Sequence, residues 1–120
     1  CGRDGAPFYN QVESYNGSSW TETTEVNTGR AYAQVSGATS SSVLLAGGYG
    51  PGTTYQAINE SWNGTAWTEV ANLATGRSTG TGAPAGSNTS ALVVGGTTPS
   101  TTAATEEWSF SHVLKKITTG

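Results

Sequence analysis

The sequence predicts an all-β chain made of a repeated four-stranded unit, and three observations carry that expectation. The first is an echo at 47 residues: Glu13-Ser14-Tyr15-Asn16-Gly17-Ser18-Ser19-Trp20 returns as Glu60-Ser61-Trp62-Asn63-Gly64-Thr65-Ala66-Trp67. The second is a pair of apolar runs closed by two glycines, Val43-Leu44-Leu45-Ala46-Gly47-Gly48 and Ala91-Leu92-Val93-Val94-Gly95-Gly96. The third is composition: 17 Gly, 4 Trp and 5 Tyr with abundant Thr and Ser favour strands joined by turns. No stretch carries a helical apolar stripe of useful length.

The first strand of each unit follows an arginine, Arg30 or Arg77, ten residues beyond Trp20 or Trp67. A first strand is predicted over residues 31–36 and 78–83, where small residues suit a strand crowded near an axis. A second strand is predicted over 42–46 and 90–94. Its apolar residues are consecutive rather than alternating, which is the pattern of a strand buried on both faces. The double glycine allows a positive-φ exit or a close backbone approach. A loop then leads to a third strand, 11–15 and 57–62. The Asn16-Gly17 and Asn63-Gly64 dipeptides predict a hairpin with a type I′ turn, in which both central residues have positive φ. The fourth strand carries Trp20 or Trp67.

One such meander cannot bury both faces of its sheet, so its copies must stack. Four strands per unit at this period point to the blades of a β-propeller. A parallel β-helix needs a much shorter period, and a β-sandwich does not normally repeat its own sequence so closely. The chain divides into 1–12, the end of a preceding blade; 13–59 and 60–105, two full repeats; and 106–120, the start of a third repeat or a divergent closing strand. A third copy does begin at Glu106-Glu107-Trp108 before the pattern departs.

The ordered set of arginine, apolar run with Gly-Gly, Glu-x-aromatic and Trp resembles the kelch repeat, and more broadly the propeller of galactose-oxidase-like proteins. It covers roughly residues 9 to 110 and is similar to repeats in bacterial and phage surface or tail-fibre proteins. The resemblance implies that Gly47, Gly48, Gly95 and Gly96 close the second strands. It implies that Arg30, Arg77, Glu13, Glu60 and Glu106 make polar contacts within or between blades, and that the tryptophans pack between blades. Physics gives the aromatic rows the same structural role. Tyr15, Trp62 and Trp108 form one row and Trp20 and Trp67 another, and large aromatics that recur in every unit are expected to fill the inter-sheet core. Propellers of this type close with about five to seven blades, whereas this chain holds about two and a half. Further blades from a longer chain, or identical copies, are therefore expected as partners.

The charge balance excludes several functions. Net charge is −3 with five basic residues, so there is no basic footprint for nucleic acid. No apolar run is long enough to span a bilayer as a helix. The absence of an initiator Met leads us to expect a processed chain or a fragment. Cys1 is the single cysteine, so no internal disulfide can form. A lipid-modified N-terminal Cys is the alternative to an incidental one. His112 is the single histidine and Asp4 the single aspartate, a poor basis for a Ser-His-Asp site. Spacing for metal ligands and for a calcium loop is absent, so no metal and no cofactor are expected. The glutamates follow the repeat, whereas the paired carboxylates of a glycosidase would be singular. The sequons at Asn16, Asn59, Asn63 and Asn88 need no glycan, since two of them coincide with the Asn-Gly turns.

The function expected is therefore non-enzymatic: a propeller scaffold that displays loops, in an extracellular or virion-surface appendage such as a fibre, spike or adhesin. The loops after the double glycines, 49–55 and 97–102, are the candidates for contact, with Tyr49 and Tyr55 as ligand-binding side chains for a cell-surface glycan or protein. The alternatives are a self-assembling propeller fragment with a purely structural role and a piece of a larger galactose-oxidase-like enzyme. One histidine and one terminal cysteine cannot supply the copper site of those oxidases.

Overall fold

The computed structural model describes residues 1–5, 7–52, 54–82 and 85–109, together with the backbone of 115–117. Every described regular element is a strand, and every strand pair is antiparallel. Strands β1 (Gly2–Arg3) and β2 (Phe8–Tyr9) form a short hairpin, and β3 (Val12–Tyr15) and β4 (Trp20–Thr23) form a second. Then come β5 (Gln34–Thr39) and β6 (Ser42–Ala46), a third hairpin of β7 (Tyr49–Gly50) and β8 (Thr54–Tyr55), and β9 (Asn59–Trp62) and β10 (Trp67–Val70). The first four-stranded sheet has the order β10-β9-β6-β5. Strands β11 (Thr81–Gly82), β12 (Ser90–Thr97), β13 (Thr101–Ser109) and β14 (Lys115–Ile117) form the second, in that order.

The core lies between these two sheets. Leu44 packs with Ala91 and Trp108, and Val70 leans on them. Ala46 packs with Leu73 and Val93, flanked by Ala57. Both sheets thus present the apolar run of their second strand to this interface. Two polar bridges cross it: Ser36 Oγ donates to Leu92 O at 3.2 Å, and Gln34 Nε2 reaches Gly95 O at 3.5 Å.

Four expectations about the elements need correction. The first strand begins later than residues 31 and 78, because Tyr32 and Thr79 hold φ of 56° and 57°, which interrupts an extended chain. Only isolated bridges, Ala31 to Tyr49 and Ser78 to Thr97, remain on the N-terminal side of that break. The end of the second predicted span, Ala83, lies outside the described residues.

The Asn-Gly turns are not type I′. Gly17 and Gly64 have φ of 99° and 95°, but Asn16 and Asn63 are not in the left-handed region. The pairs Tyr15↔Trp20 and Trp62↔Trp67 leave four loop residues instead of two. Each asparagine Oδ1 accepts two backbone N–H groups, from Ser18 and Ser19 or from Thr65 and Ala66, all at 2.9 Å. That side-chain bonding closes the wider turn.

The segment 97–102 is not an open loop. Thr97 pairs with Thr101 at the tip of a long β12–β13 hairpin, and the ladder survives the Gly-Gly by a register shift between Val94 and Gly96. Lastly, the aromatic rows are not uniformly core: Tyr15 is 53% and Trp20 66% exposed, whereas Trp62 and Trp108 are buried. Of the divergent tail, Lys115–Ile117 supplies β14, with Lys116 opposite Glu106. Its remaining residues, 110–114 and 118–120, lie outside the description.

Candidate functional site

The repeated arginines and glutamates form two buried ion pairs. Arg30 donates to Glu60 Oε2 at 3.0 Å and to Leu45 O at 3.3 Å, and both side chains have 0% exposure. Glu60 also accepts the Asn27 backbone N–H at 2.6 Å and its side-chain amide at 2.9 Å. Burial pulls the Arg30 guanidinium below its usual pKa, and the Glu60 carboxylate opposes that shift. The second pair repeats the first: Arg77 donates to Glu106, to Ala104 O at 2.7 Å and to Gly95 O at 3.3 Å, while Ala74 N–H donates to Glu106 at 2.7 Å. These groups bond to the chain itself and present no open face to a ligand.

Three of the four paired glycines, Gly47, Gly48 and Gly96, sit where a side chain would collide. Gly47 and Gly48 have φ of 60° and 111°, and Gly95 and Gly96 have 64° and 108°. A Cβ at Gly47 would lie 2.5 Å from Arg77 O, and one at Gly96 2.5 Å from Ser78 O. Left-handed backbone and close approach together require glycine. The Gly48 N–H donates to Arg77 O at 2.7 Å, which ties one unit to the arginine turn of the next.

The aromatic rows keep one local geometry in both copies. Tyr15 and Trp20 lie 5.1 Å apart at 36°, and Trp62 and Trp67 lie 5.2 Å apart at 36°. The indole N–H groups of Trp62 and Trp108 donate to Ser40 O and Asn88 O at 2.9 and 3.0 Å, and Trp67 donates to Thr24 O at 3.1 Å. Between the β3–β4 hairpin and the outer face of the first sheet is a cleft of about 610 Å³, with Val12, Tyr15, Val43, Leu45 and Trp62 among its lining residues.

Tyr49 and Tyr55 do come together. They are cross-strand partners in the β7–β8 hairpin, with ring centroids 5.4 Å apart, edge to face at 70°. The structure adds Phe8, whose ring lies 6.2 Å from Tyr49, and Arg3, whose guanidinium sits 5.4 Å over Phe8. The result is a row, Arg3–Phe8–Tyr49–Tyr55, that crosses from one hairpin to the next. All three rings are half-buried, and neither tyrosine hydroxyl has a hydrogen-bond partner among the described residues. Phe8 escaped the sequence reading, although a signal existed: it lies five residues before Glu13, as Tyr55 lies five before Glu60. Tyr32 escaped too. It is 57% exposed, and its positive φ has no sequence signature.

Among the described residues no three His, Cys, Asp or Glu side chains cluster to hold a metal ion, and His112 lies outside them. No described helix is long and apolar enough to cross a membrane.

No family model and no curated protein matches the chain. Among solved structures it is similar in fold to one described as "Structure of YjhT", with a TM-score of 0.68 and 19% identity over 91% of this chain. The match spans 38% of that structure's length.

Proposed function

We propose that the chain is a non-enzymatic segment of a kelch-type β-propeller whose hairpin end binds an external carbohydrate, in an extracellular or virion-surface appendage. The observation that carries this reading is the Arg3–Phe8–Tyr49–Tyr55 row, built by two successive units on the same end of the molecule. Flat aromatic faces bind the C–H face of a sugar ring, and free tyrosine hydroxyls can exchange hydrogen bonds with its hydroxyl groups. A rigid sheet stack holds the hairpins, so little ordering is needed on binding. The two stacked meanders and the fold likeness to a longer structure support the propeller reading.

The test is a glycan array followed by calorimetry on any sugar retained. Tyr49→Ala and Tyr55→Ala should each weaken binding at least about tenfold, a loss of about 1.4 kcal/mol, with unchanged thermal unfolding. Equal affinity of both variants and the parent would sink the proposal.

A second reading, assembly without an outside ligand, is favoured by one specific observation. Val94 is 37% exposed on the outward face of β12, where its counterpart Ala46 is covered by a sheet. Mass measurement in solution separates the two readings: a discrete ring-sized oligomer supports assembly.

A further inference from the structure

The turn between β9 and β10 needs an asparagine and a glycine side by side, each for its own reason. Asn63 Oδ1 accepts the backbone N–H groups of Thr65 and Ala66, both at 2.9 Å. Gly64 holds φ of 95°, and a Cβ there would lie 3.2 Å from the Ser41 Cβ, so a side chain is disfavoured twice. Asn16 and Gly17 repeat the arrangement, with two bonds at 2.9 Å and φ of 99°. The exposure of Asn63 does not depend on a missing neighbour. Thr24 of the β3–β4 hairpin donates to Thr65 O at 3.3 Å on one side, and the second sheet packs on the other. Asn63 and Gly64 remain exposed between them.

That pairing has a chemical consequence. The side-chain amide carbon of an asparagine is an electrophile within reach of the next backbone nitrogen. Gly64 has no side chain to shield its nitrogen, and its N–H has no acceptor among the described residues. The two N–H donors on Oδ1 draw electron density from Cγ and stand where negative charge develops during attack. The other asparagines, Asn10, Asn27, Asn59, Asn72 and Asn88, all precede residues that carry side chains. Two of those following N–H groups are also engaged, Thr28 with Glu60 at 3.4 Å and Leu73 with Ala57 O at 2.8 Å.

We propose that Asn63 and Asn16 are self-modification sites that convert to aspartate in the folded chain, with water as the only co-reactant. The Gly64 nitrogen loses its proton and attacks Asn63 Cγ, a C–N bond forms, and ammonia leaves with that proton, giving a cyclic imide. Water then adds to Cγ and breaks the new C–N bond, which restores the main chain and leaves a carboxyl group. Both steps put charge on Oδ1, so the same two donors assist both and direct water to Cγ. Water at the backbone carbonyl would instead give isoaspartate, which adds a main-chain atom to the four-residue loop between Trp62 and Trp67. Aspartate keeps the oxygen that closes the turn and makes its two bonds charge-assisted. Conversion at both turns takes the net charge from −3 to −5, one unit for each. Strand β9 runs from the β7–β8 hairpin toward this turn, so the new carboxylates lie at the end opposite Tyr49 and Tyr55. The inference is independent of the carbohydrate reading.

The test is incubation of the whole chain in mildly alkaline buffer, with peptide mass spectrometry to locate each gain of about one dalton and to separate aspartate from isoaspartate. A synthetic peptide of residues 59–70, which lacks the fixed donors, is the reference. We expect conversion at Asn63 and Asn16 before any other asparagine, faster as pH rises. The ratio of aspartate to isoaspartate at position 63 should be at least about fivefold higher in the folded chain than in the peptide. Asn63→Asp should unfold thermally like the parent. Conversion that begins at another asparagine, the same product ratio in chain and peptide, or a destabilised Asn63→Asp variant overturns the proposal.

Discussion

Strands β6 and β12 carry the same apolar run and the same closing glycines, yet they live in different surroundings. In β6, Leu44 and Ala46 face the second sheet and are buried, while Val43 and Leu45 line the cleft toward the β3–β4 hairpin. In β12, Ala91 and Val93 are buried against the first sheet, but Leu92 and Val94, the counterparts of Leu44 and Ala46, have no described sheet over them and remain partly exposed. The repeat therefore encodes a sheet with two apolar faces, and burial follows from what stacks on each face. The same contrast separates Trp62 from Tyr15 and Glu60 from Glu13. If coverage and not repeat position sets energetic weight, equivalent residues should differ widely in the cost of their removal.

The largest difference is expected at the glutamates. Glu60→Ala leaves the Arg30 guanidinium charged and buried with its main partner gone, which costs about 3–5 kcal/mol. It also strands the Asn27 N–H donor that bonds to the same carboxylate. Glu13→Ala removes an exposed group and should stay within about 0.5 kcal/mol. Chemical denaturation of the two variants measures both values. Equal losses would break the comparison, because position would then matter and coverage would not.

An intermediate effect should separate the leucines. Leu44→Ala opens a cavity against Ala91 and Trp108 and is expected to cost about 3 kcal/mol. Leu92→Ala, on the half-open face, should cost about 1 kcal/mol, since part of its surface already meets water. Adding a molecule that stacks on the second sheet should raise the Leu92 cost toward the Leu44 value, which sharpens the test.

The all-β class and the four-strand sheets were legible because they rest on period and on uninterrupted apolar runs, features that survive any detail of packing. Tyr15 and Trp20 are exposed where the sequence predicts core, because a sequence states that a residue is apolar and repeated but not whether a neighbour covers it. The late start of β5 was hidden because Tyr32 and Thr79 adopt positive φ without being glycine or asparagine. Tertiary contacts hold them, including the bond from Thr79 N–H to Tyr32 O at 2.9 Å. Of the candidate site, Tyr49 and Tyr55 were readable as loop aromatics after a double glycine. Their continuation to Phe8 and Arg3 depends on how two hairpins lie side by side.

The smallest effect is the one that should be the same in both units. Asn16 and Asn63 each close their turn through Oδ1 with two backbone N–H bonds at 2.9 Å, and both are exposed. These bonds are local, so coverage by a neighbouring sheet does not enter. Replacing either by alanine should cost about 1 kcal/mol, the usual net value of such side-chain bonds to backbone. The readout must be local, because β3–β4 can open without the two packed sheets: hydrogen exchange at the strand amides flanking each turn gives an opening free energy for each hairpin separately. Similar shifts in the two hairpins would show that turn chemistry is intrinsic to the repeat while burial is conferred by stacking. A much larger shift at Asn63 than at Asn16 would mean that even this turn draws its stability from the sheets beside it.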